Sequence, residues 1–381
     1  MTLMAPALAL SIVAAPLVAP VRNEREQKAA VEALQQRGAS LTCDDRAAGK
    51  PVVSVEFWRD ETTDADLEHL KPLSHLESVS VYSAPQVTAA GLKHLSGLTR
   101  LRSLRLESAP LTDADLKHLK DLTNLTSLNL DCSPLTGEGL AHLKELKNLA
   151  ELSLRKTRLT GDALGHLKAF PRLYGLTLCQ TSIGDTDLDH LRGLSELSFL
   201  DLSYTAVTDA GLAHLERLGN LHALYLEGTK ITDEGLKHLK GFTKLTHLKL
   251  WGTRIKGTGL KYLRGMSELR HLDLIMTDVG DEGLAELKGL ANLRALHLFG
   301  TRVTDTGLAS LRNLSQLEDL NVGDTVITDA GLEHLKGLTH LSSLYAPRTF
   351  VTADGVARLK KLFPELRVDH EQPRERTGEK K

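Results

Sequence analysis

One phrase recurs along this chain and fixes what it can fold into. Its clearest spelling is residues 221–244, LHALYLEGTKITDEGLKHLKGFTK, and residues 245–268, LTHLKLWGTRIKGTGLKYLRGMSE, repeat it. Leu221, Leu224 and Leu226 follow the spacing L-x-x-L-x-L, and the alternation Leu224-Tyr225-Leu226 is the period-two sign of a strand with one buried face. Glu227 and Gly228 turn the chain, and Ile231 returns an apolar group to the interior. Thr232-Asp233 then offers a helix start whose side-chain oxygens can cap backbone N–H groups. Leu236, Leu239 and Phe242 follow at i, i+3 and i+6 as one stripe of a short helix. Strand, turn and helix thus aim seven apolar groups at an interior that 24 residues cannot close. Identical neighbours must cover it, so the chain is predicted to be an array.

Units begin at Val52, Leu76, Leu101, Leu125, Leu149, Leu173, Leu197, Leu221, Leu245, Leu269, Leu293, Leu317 and Leu341, thirteen in all. Every step is 24 residues except the second and the last, which carry one extra. The array therefore spans residues 52–368, with Leu366 and Val368 as an aborted fourteenth strand. Residues 22–51 read as an amino-terminal cap, a helix over 23–38 followed by strands at 40–43 and 51–57, because the open end of a stack exposes apolar edges. Residues 1–21 form an uncharged apolar run resembling the h-region of a secretory signal peptide. No Lys or Arg precedes the run and Pro6, Pro16 and Pro20 interrupt it, which leaves a disordered amino terminus as the alternative and argues against a membrane span. The charged end DHEQPRERTGEKK, residues 369–381, reads as a disordered tail.

The pattern L-x-x-L-x-L-x-x-T-x-I/V-T-D-x-G-L resembles the leucine-rich repeats of the ribonuclease-inhibitor-like superfamily, and most of all the 24-residue arrays of bacterial proteins. The resemblance implies an α/β solenoid, a horseshoe with a parallel sheet on its concave side and helices on its convex side, that works by recognising proteins or other ligands. One departure stands out. The ninth position, often Asn in that family, is Thr in nine successive copies from Thr157 to Thr349. Where the Asn is taken to bond the backbone of neighbouring turns, a ladder of Thr hydroxyls could do similar work. Neighbouring strands about 4.8 Å apart would give an inner sheet roughly 60 Å along its arc, a surface suited to macromolecules.

Charge and cysteine usage narrow the function. A formal net charge of −2, evenly mixed, gives no bulk argument for nucleic acid or an anionic membrane as partner. Three separated cysteines, Cys43, Cys132 and Cys179, make neither a disulfide framework nor a C-x-x-C metal pattern. No zincin, phosphate-loop or nucleophile-elbow motif occurs, so the reading is of no enzyme, no catalytic residue, no metal and no cofactor.

Two columns could suggest chemistry. The eighteenth position is His in eight consecutive copies, His69, His94, His118, His142, His166, His190, His214 and His238, and again at His334. A single-file row does not converge on a metal. These rings are expected between adjacent helices, bonded to backbone or solvent, with mutual repulsion on protonation holding their pKa values at or below the free value. The Thr-Asp pairs at 112–113, 208–209, 232–233, 304–305 and 328–329 could pass for a calcium row, but capping of their own helices explains them.

Function should lie where the repeat leaves residues free, at the third, fifth, seventh and eighth positions. Through six copies these are mostly Ser, Arg, Asn, Glu and Asp, apart from Trp58 and Tyr82; from the seventh they include Phe199, Tyr204, Tyr225, His247, Trp251, His271, Ile275, Met276, His297 and Phe299. Grouped aromatics anchor interfaces at small entropic cost. The expectation is a non-enzymatic, exported (periplasmic or extracellular) module that binds a protein or glycan through Phe199, Tyr204, Tyr225, His247, Trp251, His271, Ile275, His297 and Phe299. Tyr225, Trp251 and Phe299 are its anchors, and the chain is a monomer or a weak self-associator. The alternatives are a self-assembling envelope protein, in which the rings cover one another or a second copy, and an adaptor scaffold for another enzyme.

Overall fold

The computed structural model describes residues 18–370, with side chains from residue 24 onward. Most of the apolar run at 1–21 and the end of the tail, 371–381, lie outside the described residues. Helix α1 spans Val18–Gln36, starting inside the apolar run rather than at residue 23. Pro20 falls in its first turn, where a missing N–H has no helical partner to lose. The helix ends before Gly38, whose φ of +75° is the left-handed stop that glycine adopts without strain. Ala30 and Leu34 of α1 are buried in the same core as the repeats.

Among the described residues one sheet holds fifteen strands in chain order. They are β1 (Ser40–Cys43), β2 (Val52–Phe57), β3 (Ser78–Val81), β4 (Ser103–Leu106), β5 (Ser127–Asn129), β6 (Glu151–Ser153), β7 (Gly175–Thr177) and β8 (Phe199–Asp201). The sheet continues through β9 (Ala223–Tyr225), β10 (His247–Lys249), β11 (His271–Asp273), β12 (Ala295–His297), β13 (Asp319–Asn321), β14 (Ser343–Tyr345) and β15 (Arg367–Asp369). β1 pairs antiparallel with β2, and the other pairs are parallel and in register, so equivalent positions stand side by side. β15 takes in Asp369, which the sequence reading gave to the tail, because its strand still finds a partner in β14.

All seven apolar groups of the unit, Leu221, Leu224, Leu226, Ile231, Leu236, Leu239 and Phe242, are fully buried. Each such burial stabilises by about 1.5–3 kcal/mol, and the neighbouring repeats provide the cover. The helical side consists of short pieces, many of them 3₁₀, such as Gly235–Leu239. The tighter 3₁₀ turn is used in short runs, and a 24-residue unit leaves room for little more.

Past each strand the ladder continues into the turn: the Tyr204 N–H bonds Glu227 O at 2.6 Å and the Gly228 N–H bonds Trp251 O at 2.7 Å. This geometry puts the eighth position in the left-handed region in eleven consecutive repeats, Ser108 through Arg348. Only three of them spend a glycine on it, Gly228, Gly252 and Gly300.

Two expected ladders change places. The nine Thr hydroxyls are buried, but each donates to the carbonyl three residues earlier in its own turn, as Thr229 Oγ1 does to Leu226 O at 2.6 Å. They tie no neighbouring turns together, because the nearest unmet acceptor lies within the same bend. The cross-repeat bonds come instead from the Asp column, expected to cap its own helices. Asp209 accepts from the Thr232 N–H (2.8 Å) and Thr232 Oγ1 (2.6 Å), one repeat on. Asp185, Asp281, Asp305 and Asp329 make the same pair of bonds to Thr208, Thr304, Thr328 and Thr352. Own-helix capping falls to the Thr, whose hydroxyl accepts from Ala210 N–H in the case of Thr208. The Gly two residues beyond each Asp position gives the preceding carboxylate its room: a Cβ on Gly235 would stand 2.2 Å from Asp209 Oδ1.

Candidate functional site

The face of the sheet not covered by helical turns carries the third and fifth positions, and the strand-end rim carries the seventh and eighth. Four groupings form there. Phe199 and Tyr225, on β8 and β9, meet edge to face with centroids 5.2 Å apart, and Lys249 Nζ lies 4.3 Å over the Tyr225 ring. On the rim, Tyr204 leans across Gly228, where a Cβ would come within 2.5 Å of the ring, and meets Trp251 edge to face at 6.2 Å. Met276 covers Gly300 and Phe299 covers Gly323 in the same manner. The third grouping is His247 stacked on His271 at 4.2 Å, in register on β10 and β11.

His297 forms the fourth. Its Nδ1 lies 4.0 Å from Asp273 and its Nε2 3.4 Å from Asp319. Asp273 and then Asp319 hold the imidazolium, raising its pKa to about 9, and His297 in turn holds Asp319 below the usual carboxylate value. Burial, then its stacked partner, lowers His247; burial, then charged His297, lowers His271. One pKa has moved up and two down within three strands. A pocket of about 190 Å³ opens among Lys249, His271, Asp273 and His297.

Four stretches match the family model "Leucine Rich repeat": residues 121–144, 220–240, 267–288 and 289–311. The fold is that of a leucine-rich repeat solenoid. Among solved structures, an internalin from Listeria monocytogenes aligns at 23% identity and a TM-score of 0.64, covering 90% of this chain and 93% of its own. A Leptospira interrogans LRR protein aligns at 19% identity and 0.49, covering 79% and 91%. No curated protein sequence matches.

This leucine-rich repeat face divides the nominated residues rather than gathering them. Trp251, Ile275 and Phe299 share the rim column, whereas His247 and His271 start their strands, about 13 Å away along the chain. His297 contacts two aspartates, Asp273 and Asp319. Lys249 and Asp273, missed in the sequence, sit at the fifth position, one repeat after Tyr225 and one repeat before His297, and the 24-residue register points to them.

The His column lies off this face. His166, His214 and His238 each set a ring nitrogen 3.7, 3.2 and 2.6 Å from a carboxylate of the preceding repeat, Glu138, Asp189 and Glu216. Side-chain carboxylates thus stand beside three rings expected to bond backbone or solvent, and His214 Nδ1 also meets the Arg192 guanidinium at 2.7 Å. Burial, then Lys117 and Lys93, lowers His118 of this column. Among the described residues no cluster of His, Cys, Asp and Glu is arranged to hold a metal, and no helix is long and apolar enough to cross a membrane. Burial pushes the Cys179 thiol up to about 11, which leaves it a poor nucleophile.

Proposed function

We propose that this protein is a non-enzymatic recognition module that holds a protein partner on the open face of its sheet between Phe199 and Phe299. Leucine-rich repeat arrays commonly serve as interaction modules, since stacking yields an extended surface whose free positions can vary without touching the core. The observation that carries the reading is on the rim. Tyr204, Trp251 and Met276 are 43, 40 and 55% exposed at positions where the repeat demands nothing large, and glycines in the next repeat seat two of them. Rings held in place before a partner arrives lose little entropy on binding, which is the character of interface anchors. Lys249, Asp273 and charged His297 supply polar complements.

The test is affinity capture from the native source with wild type and with Trp251→Ala combined with Phe299→Ala. Loss of a specific partner from the double variant supports the reading; an unchanged set at unchanged yield sinks it. Light scattering that shows wild-type dimers abolished by the same pair would transfer the surface to self-association. The apolar run at 1–21 makes the periplasm or the extracellular space the proposed compartment, which amino-terminal sequencing of the protein from its own cells tests.

A further inference from the structure

A second depression interrupts the same face nearer the amino terminus, between β4 and β8. It encloses about 300 Å³, at the lower end of the roughly 300–1,000 Å³ usual for ligand pockets. A dip in side-chain size creates it. At the third position Ser127 and Gly175 stand where Phe199 stands on β8, and at the fifth position Ser153 and Thr177 follow the long Arg105. Gly175 is buried and sets the floor: a Cβ there would lie 3.3 Å from Glu151 Cγ. Arg105 closes one end and Phe199 the other, about 19 Å apart over four strand steps. Tyr174 forms a side wall, its hydroxyl donating to Glu151.

The polar groups of this lining are fixed from below. Buried Asp131 accepts from Ser153 Oγ at 2.6 Å and from the Arg155 N–H at 2.8 Å. Asn129 donates to Asp131 Oδ2 at 3.1 Å while its Oδ1 accepts the Asp131 N–H at 3.0 Å. Each is left with unused capacity, lone pairs on the Ser153 oxygen and an amide hydrogen on Asn129. The charges are already engaged, Arg105 with Glu107 at 3.6 Å and Glu151 with Tyr174. Such a site offers little to an anion or a cation, and only two rings to an apolar peptide. It suits a molecule that has many hydroxyls and one apolar face. Beyond Arg105 the line continues onto an exposed platform: Trp58 stacks on Tyr82 at 3.9 Å and Arg105 lies 5.1 Å over the Tyr82 ring.

We propose that the depression between Arg105 and Phe199 binds a neutral saccharide, which stacks against Phe199 and Tyr174, bonds to Asn129, Ser153 and Thr177, and extends toward Trp58. Isothermal titration of the full chain with cellohexaose, chitohexaose and hexagalacturonate tests it. Binding of cellohexaose or chitohexaose, weakened at least about tenfold by Phe199→Ala and by Gly175→Leu, supports the site. Should Gly175→Leu melt early, Ser127→Leu fills the same depression without touching the glycine. Failure of both neutral probes at millimolar concentration, binding of hexagalacturonate alone, or affinity unchanged in the filled variants overturns it. The readout is direct saccharide binding, so this proposal stands or falls apart from the protein-partner reading.

Discussion

The helical edge of this solenoid and the open face of its sheet are drawn from the same 24 residues, yet they solve opposite problems. Along the edge, Asp, Thr and Gly recur because each carboxylate must reach the next repeat's N–H and hydroxyl, and a glycine must stand aside for it. Across the face, Ser127, Gly175, Phe199, His247 and Asp319 share a single position. An edge built on two charge-assisted bonds per joint permits few substitutions. A face built on nothing but room permits many, and that freedom is what a binding surface needs.

The largest effect should come from breaking the edge. In Gly235→Ala the new Cβ would be 2.2 Å from Asp209 Oδ1, forcing the carboxylate off Thr232. Overpacking and the displaced bonds together should destabilise by about 2–3 kcal/mol. Because each repeat leans only on its neighbours, amide exchange should show lost protection concentrated in the two repeats that flank the joint. Trp251→Ala on the face should cost less than about 1 kcal/mol. Equal losses from the two substitutions would show that edge and face are not separable.

How far the sequence discloses these two regions follows from the same contrast. The buried column from Leu221 to Phe242 was legible because burial writes a period, and a period survives in one dimension. The Asp column was legible but assigned to the wrong helix. Thr-Asp before a helix satisfies a capping pattern whether the carboxylate turns to its own helix or to the next repeat. The missing signal lay in the spacing: Asp209 and Gly235, Asp281 and Gly307, and Asp305 and Gly331 are each 26 apart, pairing every carboxylate with the glycine that makes room for it. On the face, the aromatics from Phe199 to Phe299 drew notice by size. The depression at Gly175 did not, since absent side chains form no motif and became visible only once the strands lay in register.

The two regions should also fail at opposite ends of the pH scale. Burial pushes Asp113 up, but hydrogen bonds from the Gly139 N–H and the Thr136 hydroxyl more than offset it, and Asp329 is likewise held below its ordinary value. A depressed carboxylate contributes stability above the unfolded value near 3.8, and that contribution fades as pH falls through the folded one. His297 is the reverse: its contribution is complete below 6.5 and is lost as pH climbs toward about 9. Its side chain is 34% exposed, so screening reduces the effect to about 1 kcal/mol. Urea midpoints of wild type should fall between pH 6.5 and 9 relative to those of His297→Gln, and in acid wild type should lose more than the variant, because protonating Asp319 removes a contact that only wild type makes. Parallel curves across the alkaline window would remove the Asp273–His297–Asp319 pairing from the account of the face.

The smallest effect, and the sharpest comparison, is within the face itself. Tyr204 holds φ at +57° at the eighth position, where the turn demands a left-handed residue, whereas Tyr225 lies in strand β9. Tyr204→Gly relieves a strain of about 1 kcal/mol, and loses a ring contact with Trp251 and some unfolded-state restriction of similar size. The three offset, so stability should move by no more than about 0.5 kcal/mol. Tyr225→Gly has no strain to relieve; it loses the contacts with Phe199 and Lys249 and places a glycine in a strand, for about 2 kcal/mol. Chemical denaturation of the pair would show the difference. If both cost the same, the rim is as tightly bound to the fold as the strands, and Tyr204 is there to support the turn rather than to be offered to a partner.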